Sequence, residues 1–329
     1  MTNRERFTRT FEFQPVDRLP VVEWAPWWDQ TIKRWRTEGL PAELTAVVAI
    51  QDWFGLDRFQ IRKLSAMRPE YGQLEKADRL IADLEGYRRL KDFLYPGTGQ
   101  ATAWLAEAAD AQRNRDIVTG LILEGPFWFP RILFGIEAHL YAFYDHPEAM
   151  RLIIEDLADY HLRILEAARQ TIRPELVLFS EDMSYNHGPM LSRKTFDEFI
   201  SPYYRRIVPR LKEFGWPAVI DSDGQIGPLL EWFAPTGVDA FLPLEHQAGV
   251  DIVELRRRHP RHRFIGAFDK MVLNRGEAAV EAEFERLRPV MAGGGYVPGV
   301  DHQTPPGVSL AEYRDYLVRL AGWCRRAAG

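Results

Sequence analysis

Leu176-Val177-Leu178-Phe179-Ser180, followed at once by Glu181-Asp182, is an unbroken apolar run too short for a helix, and it ends on two acids. A run without polar alternation suits a parallel strand, because helices cover both faces of such a sheet. The pattern returns downstream at Ala218 to Asp221, Ala240 to Leu244, Phe264 to Phe268 and Tyr296 to Val300. Upstream it occurs at Ile117 to Leu123, Asp57 to Ile61 and Leu19 to Trp24. Eight such runs alternate with longer helical patterns, which predicts an α/β chain folded as a (β/α)8 TIM barrel, one domain over residues 1–329. A length of 329 residues fits, since such barrels run from ~200 to over 400 residues.

The intervening helices carry their own signals. Asp145 before Pro147 opens a helix toward Gln170, since a proline in the first turn forfeits no intrahelical bond. Ser192 opens another, expected to kink or break at Pro202 and Pro209 and to end at Gly215. Ser309 with Glu312 predicts a capping box on the last helix. The stretch from Leu64 to Arg115, broken by Tyr95-Pro96-Gly97-Thr98-Gly99, is too long for one crossover and reads as an insertion at 64–115, after the second strand.

Composition excludes several classes. With 46% apolar and 27% charged residues the chain has material for a large core and no mark of disorder. A net charge of −5 with scattered Lys and Arg argues against nucleic acid as a partner. No run approaches the ~20 apolar residues of a membrane span, and Met1 to Phe7 lacks the apolar core of a signal peptide, so a cytoplasmic location is expected. The single cysteine, Cys324, allows neither a disulfide within the chain nor a thiolate-rich metal site, and reads as helix packing.

Barrel enzymes assemble their active sites where the strands end. Those ends offer Glu23, Glu124, Glu181 with Asp182, Asp221 with Asp223, Glu245 beside His246, Asp269, and Asp301 beside His302. Each carboxylate alone could cap a following helix. Gathered at one mouth, they would repel one another unless a cation, protons or arginines neutralised them. The counter-charges open to this sequence are a metal, side chains such as Arg62 or Arg131, and a cationic substrate. Trp24, Trp27 and Trp28 after the first run, and Phe127, Trp128 and Phe129 after the third, could hold such a cation by their ring faces or simply pack the mouth. For a metal such as zinc or another divalent ion, the candidate ligands are Asp221, Asp223, Glu245, His246 and His302, with Glu181 a further one. His187 reads as a solvated or packing histidine. His302, in Gly299-Val300-Asp301-His302-Gln303-Thr304-Pro305-Pro306, is a candidate general acid or base that Asp301 could orient, with a structural hydrogen-bonding role as the alternative.

Several stretches together resemble the uroporphyrinogen decarboxylase superfamily, which holds both the haem-pathway decarboxylase and cobalamin-dependent methyltransferases. They are Asn3-Arg4-Glu5-Arg6-Phe7, Pro15-Val16-Asp17-Arg18-Leu19-Pro20, Glu124-Gly125-Pro126-Phe127, Glu181-Asp182-Met183, Gly188-Pro189-Met190-Leu191-Ser192 with Phe196, Phe199, Pro202 and Tyr203, Asp221-Ser222-Asp223-Gly224, Gly237-Val238-Asp239-Ala240 and Pro243-Leu244-Glu245. The resemblance implies a (β/α)8 barrel, an active-site role for His302, and a homodimer as one expected assembly. Departures point to the methyltransferase-like branch. Where the decarboxylase carries an arginine-rich segment, this chain has Glu23-Trp24-Ala25-Pro26-Trp27-Trp28, and Phe59-Gln60-Ile61-Arg62 lacks the decarboxylase's pyrrole-binding aspartate. The zinc-dependent methyltransferases' His-x-Cys is here Asp221-Ser222-Asp223. The expectation is a corrinoid-linked methyltransferase whose corrinoid arrives on a partner protein. In it His302, Asp221 and Glu181 are catalytic, and Trp24, Glu124, Trp128, Asp182, Asp223 and Glu245 hold a small substrate. A decarboxylase of uroporphyrinogen or a smaller acid, and a non-catalytic ligand-binding barrel, stand as alternatives.

Overall fold

The computed structural model describes residues 1–328. Seven strands make one parallel sheet in chain order: β1 (Phe59–Lys63), β2 (Val118–Glu124), β3 (Leu176–Ser180), β6 (Ala218–Asp221), β7 (Ala240–Leu242), β8 (Arg263–Phe268) and β9 (Tyr296–Val300). A small antiparallel hairpin, β4 (Ser184–Tyr185) with β5 (Gly188–Pro189), follows β3. Side chains alternate across each strand, and the sheet accordingly has two apolar layers. Val118, Leu176, Leu178, Val219, Leu242, Ile265 and Val297 meet on the enclosed face, joined by Phe7 and Phe11 of the first helix, Asn3–Phe11. Leu121, Val177, Phe179, Ile220, Phe241 and Phe264 turn the other way, into the main core shared with the helices.

Leu19 to Trp24, expected as the first strand, joins no ladder, so the sheet has seven strands where eight were predicted. The segment is buried and held by single bonds: Asp57 N donates to Val21 O, and Trp24 Nε1 donates to Val300 O at 2.8 Å. What stops it pairing with β1 is Gln51, fully buried on the helix Val47–Phe54. Its side-chain amide donates to Phe59 O at 2.9 Å and accepts from Phe59 N at 3.0 Å, with Glu23 O 3.5 Å from the same Nε2. A glutamine amide thus stands where a neighbouring strand's peptide would.

Between β1 and β2 run three short 3-10 turns and the helices Leu84–Leu90 and Thr98–Arg115. The second helix starts inside the predicted Tyr95–Gly99 break. The prolines after Ser192 act differently from expectation. A π-turn over Phe196–Ile200 precedes Pro202, which then sits in the first turn of the helix Ser201–Phe214, where its missing N–H costs nothing. Pro209 lies inside that helix without ending it, and Gly215 closes it in the left-handed conformation at φ 72°. The Ser309–Glu312 capping box is present. No helix among the described residues is long and apolar enough to cross a membrane.

Candidate active site

The carboxyl ends of the strands bring the predicted acids to one end of the sheet, where they divide into two groups by their partners. On the β2–β3 side each acid is spent on backbone. Glu124, at the end of β2, accepts from Ser65 Oγ and from Ala66 N, each at 3.0 Å, and pairs with Lys63 Nζ at 3.0 Å. Glu181 is fully buried; its Oε2 accepts from Phe127 N at 2.9 Å and Trp128 N at 3.2 Å, and Tyr204 OH donates to Oε1. Burial pushes the Glu181 carboxyl up to about 8, against the pull of those donors. Gly125 is required beside it, since a Cβ there would fall 2.2 Å from the Glu181 carboxyl carbon. Glu181, expected to be catalytic, thus ties the loop after β2 to the end of β3.

On the β6–β9 side the acids face one another. Asp221, at the end of β6, is partly accessible and has no hydrogen-bond donor to its carboxyl among the described residues. Burial, then Asp182 and Asp223, raise its pKa well above the carboxylate range. Asp223 rises to about 7 through burial and the nearby Glu245 and Asp182, with Lys270 opposing. Asp182 holds a left-handed backbone at φ 44°, which Asp tolerates better than most side chains, and its Oδ1 lies 3.5 Å from Asp223 N. Glu245 accepts from Gly224 N at 3.0 Å and pairs with Lys270 Nζ at 3.3 Å. Asp301, fully buried, takes Lys270 Nζ at 3.4 Å and the backbone N–H groups of Lys270 and His246 at 3.2 and 3.0 Å; burial raises it to about 6.

His302 Nε2 lies 3.7 Å from Asp223 Oδ2. Burial and then Lys270 lower the His302 pKa, so the imidazole is neutral at neutral pH. The expectation that Asp301 orients this ring is corrected: both Asp301 oxygens are taken by Lys270 and the His246 N–H, and Asp223 is the carboxylate beside the imidazole.

Lys270 is the residue that sequence reasoning missed. It follows Asp269 directly after β8, and a lysine at a strand end beside an acid was the available signal. With Lys63 on the other side, it supplies counter-charge that had been sought in arginines. Arg62 instead lies 3.5 Å from Glu107, and Arg68 donates to Leu94 O. Arg131 reaches the rim, donating to Asp182 O and stacking 5.0 Å over Trp128.

Most of the predicted rim aromatics pack instead of facing solvent. Trp24, Trp27, Phe127 and Phe129 are buried, and Trp24 is tied to Val300 O. Trp128 is half-buried; Trp28 is exposed. Among the described residues no three His, Cys, Asp or Glu side chains are arranged to hold a metal ion, so Asp221, Asp223, Glu245, His246 and His302 do not form the ligand cluster considered from sequence. Glu23 is buried and bound by Tyr313 OH at 2.8 Å, and Asp269 is bound by Gln247; neither belongs to the cluster around Lys270. His187 is exposed beside Tyr185, and Cys324 is buried against Pro20 O.

A cavity of about 400 Å3 opens at the other end of the sheet, among Arg4, Glu175, Asp239 and Arg263. Arg4 pairs there with Glu175 and Arg263 with Asp239.

Comparison with known proteins adds three findings. The family profile described as "Uroporphyrinogen decarboxylase (URO-D)" matches residues 70–319. No curated protein matches in sequence. Among solved structures, a methyltransferase from Methanosarcina mazei superposes with a TM-score of 0.68 at 15% identity, over 98% of this chain and 98% of that one, a likeness of fold. A Xaa-Pro dipeptidase with bound methionine reaches a TM-score of only 0.36 at 11% identity, over 82% and 72% of the two chains, and carries no argument.

Proposed function

The chain belongs to the uroporphyrinogen decarboxylase family, and we propose that within it this protein transfers a methyl group to or from a small molecule, with a corrinoid protein as partner. One observation carries the reading: Asp182, Asp221, Asp223, Glu245 and Asp301 share the mouth with one lysine and no arginine ion pair. Uroporphyrinogen carries eight carboxylates, and such a site repels it. A small neutral or cationic substrate enters without that penalty.

The chain's own residues then divide the work. Asp221, kept protonated by its surroundings, donates a hydrogen bond or a proton to the substrate heteroatom that loses or gains the methyl group. Asp223 and the neutral His302 imidazole, 3.7 Å apart, are the groups that exchange a proton with the substrate near neutral pH. Lys270 pairs with Glu245 and Asp301 beside them. When bound, a corrinoid would supply the methyl-carrying cobalt. The residues that fit its approach are Trp28, Tyr185 and Met271, exposed apolar side chains on the loops after the 19–24 segment, β3 and β8.

The test is a titration with methylcob(III)alamin and cob(I)alamin, followed by absorbance, with uroporphyrinogen offered in parallel. Methyl exchange that disappears in His302→Ala is the expected result. Turnover of uroporphyrinogen would overturn the reading, and with it the inference from charge.

A further inference from the structure

β1 is an edge of the sheet, and in a parallel strand alternate residues direct their backbone groups to opposite sides. Arg58 O accepts from Val118 N and Leu64 N donates to Ile122 O, so the even-numbered residues of this stretch pair with β2. Phe59, Ile61 and Lys63 turn their N–H and C=O groups away from it. The Phe59 pair is satisfied by the Gln51 side-chain amide, which accepts from the N–H at 3.0 Å and donates to the C=O at 2.9 Å. Two residues on, about 7 Å nearer the mouth at ~3.3 Å per residue, the outward pair of Ile61 has no hydrogen-bond partner among the described residues. Gln51 holds the 19–24 segment off the strand, so this edge is not covered in the usual way.

Ile61 instead borders a cavity of about 380 Å3 whose walls include Trp24, Pro26, Val48 and Arg62. Of its charged neighbours, Arg62 lies 3.5 Å from Glu107 with its Nε unbonded, and Glu23 is bound by Tyr313 at one oxygen with Oε1 unbonded. The cavity therefore offers an apolar wall and, at Ile61, one free donor and one free acceptor side by side.

We propose that this cleft binds a carboxamide group, whose oxygen accepts from the Ile61 N–H and whose N–H donates to the Ile61 C=O. The contact repeats at Ile61 what Gln51 already makes at Phe59. A carboxylate of the same shape has no donor for the Ile61 carbonyl and is the poorer ligand. The carboxamide can arrive on a small substrate or on an arm of a corrinoid, whose periphery carries such groups, and the inference holds whichever reaction the mouth performs.

The experiment is a binding titration of the full chain with benzamide, benzoate and cobinamide, read by tryptophan fluorescence and by hydrogen exchange over residues 59–63. Benzamide or cobinamide is expected to bind and slow exchange at Ile61, with benzoate about tenfold weaker than benzamide, the size of one lost hydrogen bond in a sheltered site. Binding of cobinamide without benzamide assigns the amide to a corrinoid arm, and the reverse assigns it to a small substrate. Ile61→Pro, tolerated on a strand edge because it removes only the outward N–H, and Val48→Phe, which fills the cleft without touching the strand, are each expected to weaken binding about tenfold or more. If Ile61→Pro melts early, Val48→Phe alone decides. Absence of binding by both amides, or binding that Val48→Phe leaves unchanged, overturns the proposal.

Discussion

Glu181 and Asp221 stand one strand apart at the same end of the sheet, both acids with raised pKa values, and they are built in opposite ways. Three donors converge on Glu181, two from backbone and one from Tyr204, inside a fully closed site. Asp221 has no donor and two acids nearby. A carboxyl with donors on both oxygens holds a structure together. One left unassigned in an acidic setting costs stability and is available to a ligand. Strand-end position alone does not separate the two roles; the bonding of each oxygen does.

The comparison breaks first on activity. Asp221→Ala is expected to lower turnover by ~10²–10⁴-fold, the usual worth of a positioned proton donor, while leaving the melting temperature unchanged or raising it, because a repelled and unbonded group is removed. A lower melting temperature with full activity would exchange the roles of the two acids. Glu181→Ala should do the reverse, since it strands two buried N–H groups and the Tyr204 hydroxyl, at a cost of about 3 kcal/mol read by urea denaturation.

The smallest effect sharpens the contrast. Glu181, Asp223 and Asp301, raised to about 8, 7 and 6, keep protons in the folded state that the unfolded chain releases near pH 4. The folded state binds more protons across that window, so the stability these groups lend is full below about pH 4 and is lost as pH rises toward 8. Melting is expected to be higher at pH 5 than at pH 8, and Glu181→Gln should flatten part of that slope. A melting temperature that climbs over the same range would contradict it.

The sequence made the strands readable because a doubly covered parallel strand writes its burial into every residue, and β3, β6 and β9 fall on their predicted bounds. Leu19 to Trp24 carries the same apolar mark, yet it is not a strand. Whether it pairs depends on Gln51, whose insertion is a tertiary event with no local signature. The acids at the mouth were legible for the same positional reason. Their roles were not, because the backbone donors of Glu181 lie more than 50 residues away in the chain, at separations of 53 and 54. Lys270 was legible only as the neighbour of Asp269, and Asp301 looked like the partner of the histidine beside it until the backbone of His246 claimed it.

The packing of the 19–24 segment beside β1 also orders the birth of the molecule. Trp24 leaves the ribosome 276 residues before Val300, the carbonyl that anchors it, so the segment has no seat until the last strand exists. Gln51 and Phe59 are only eight residues apart. The edge of the first strand can thus be capped by its own neighbour as soon as it emerges, a temporary shield that the finished protein keeps.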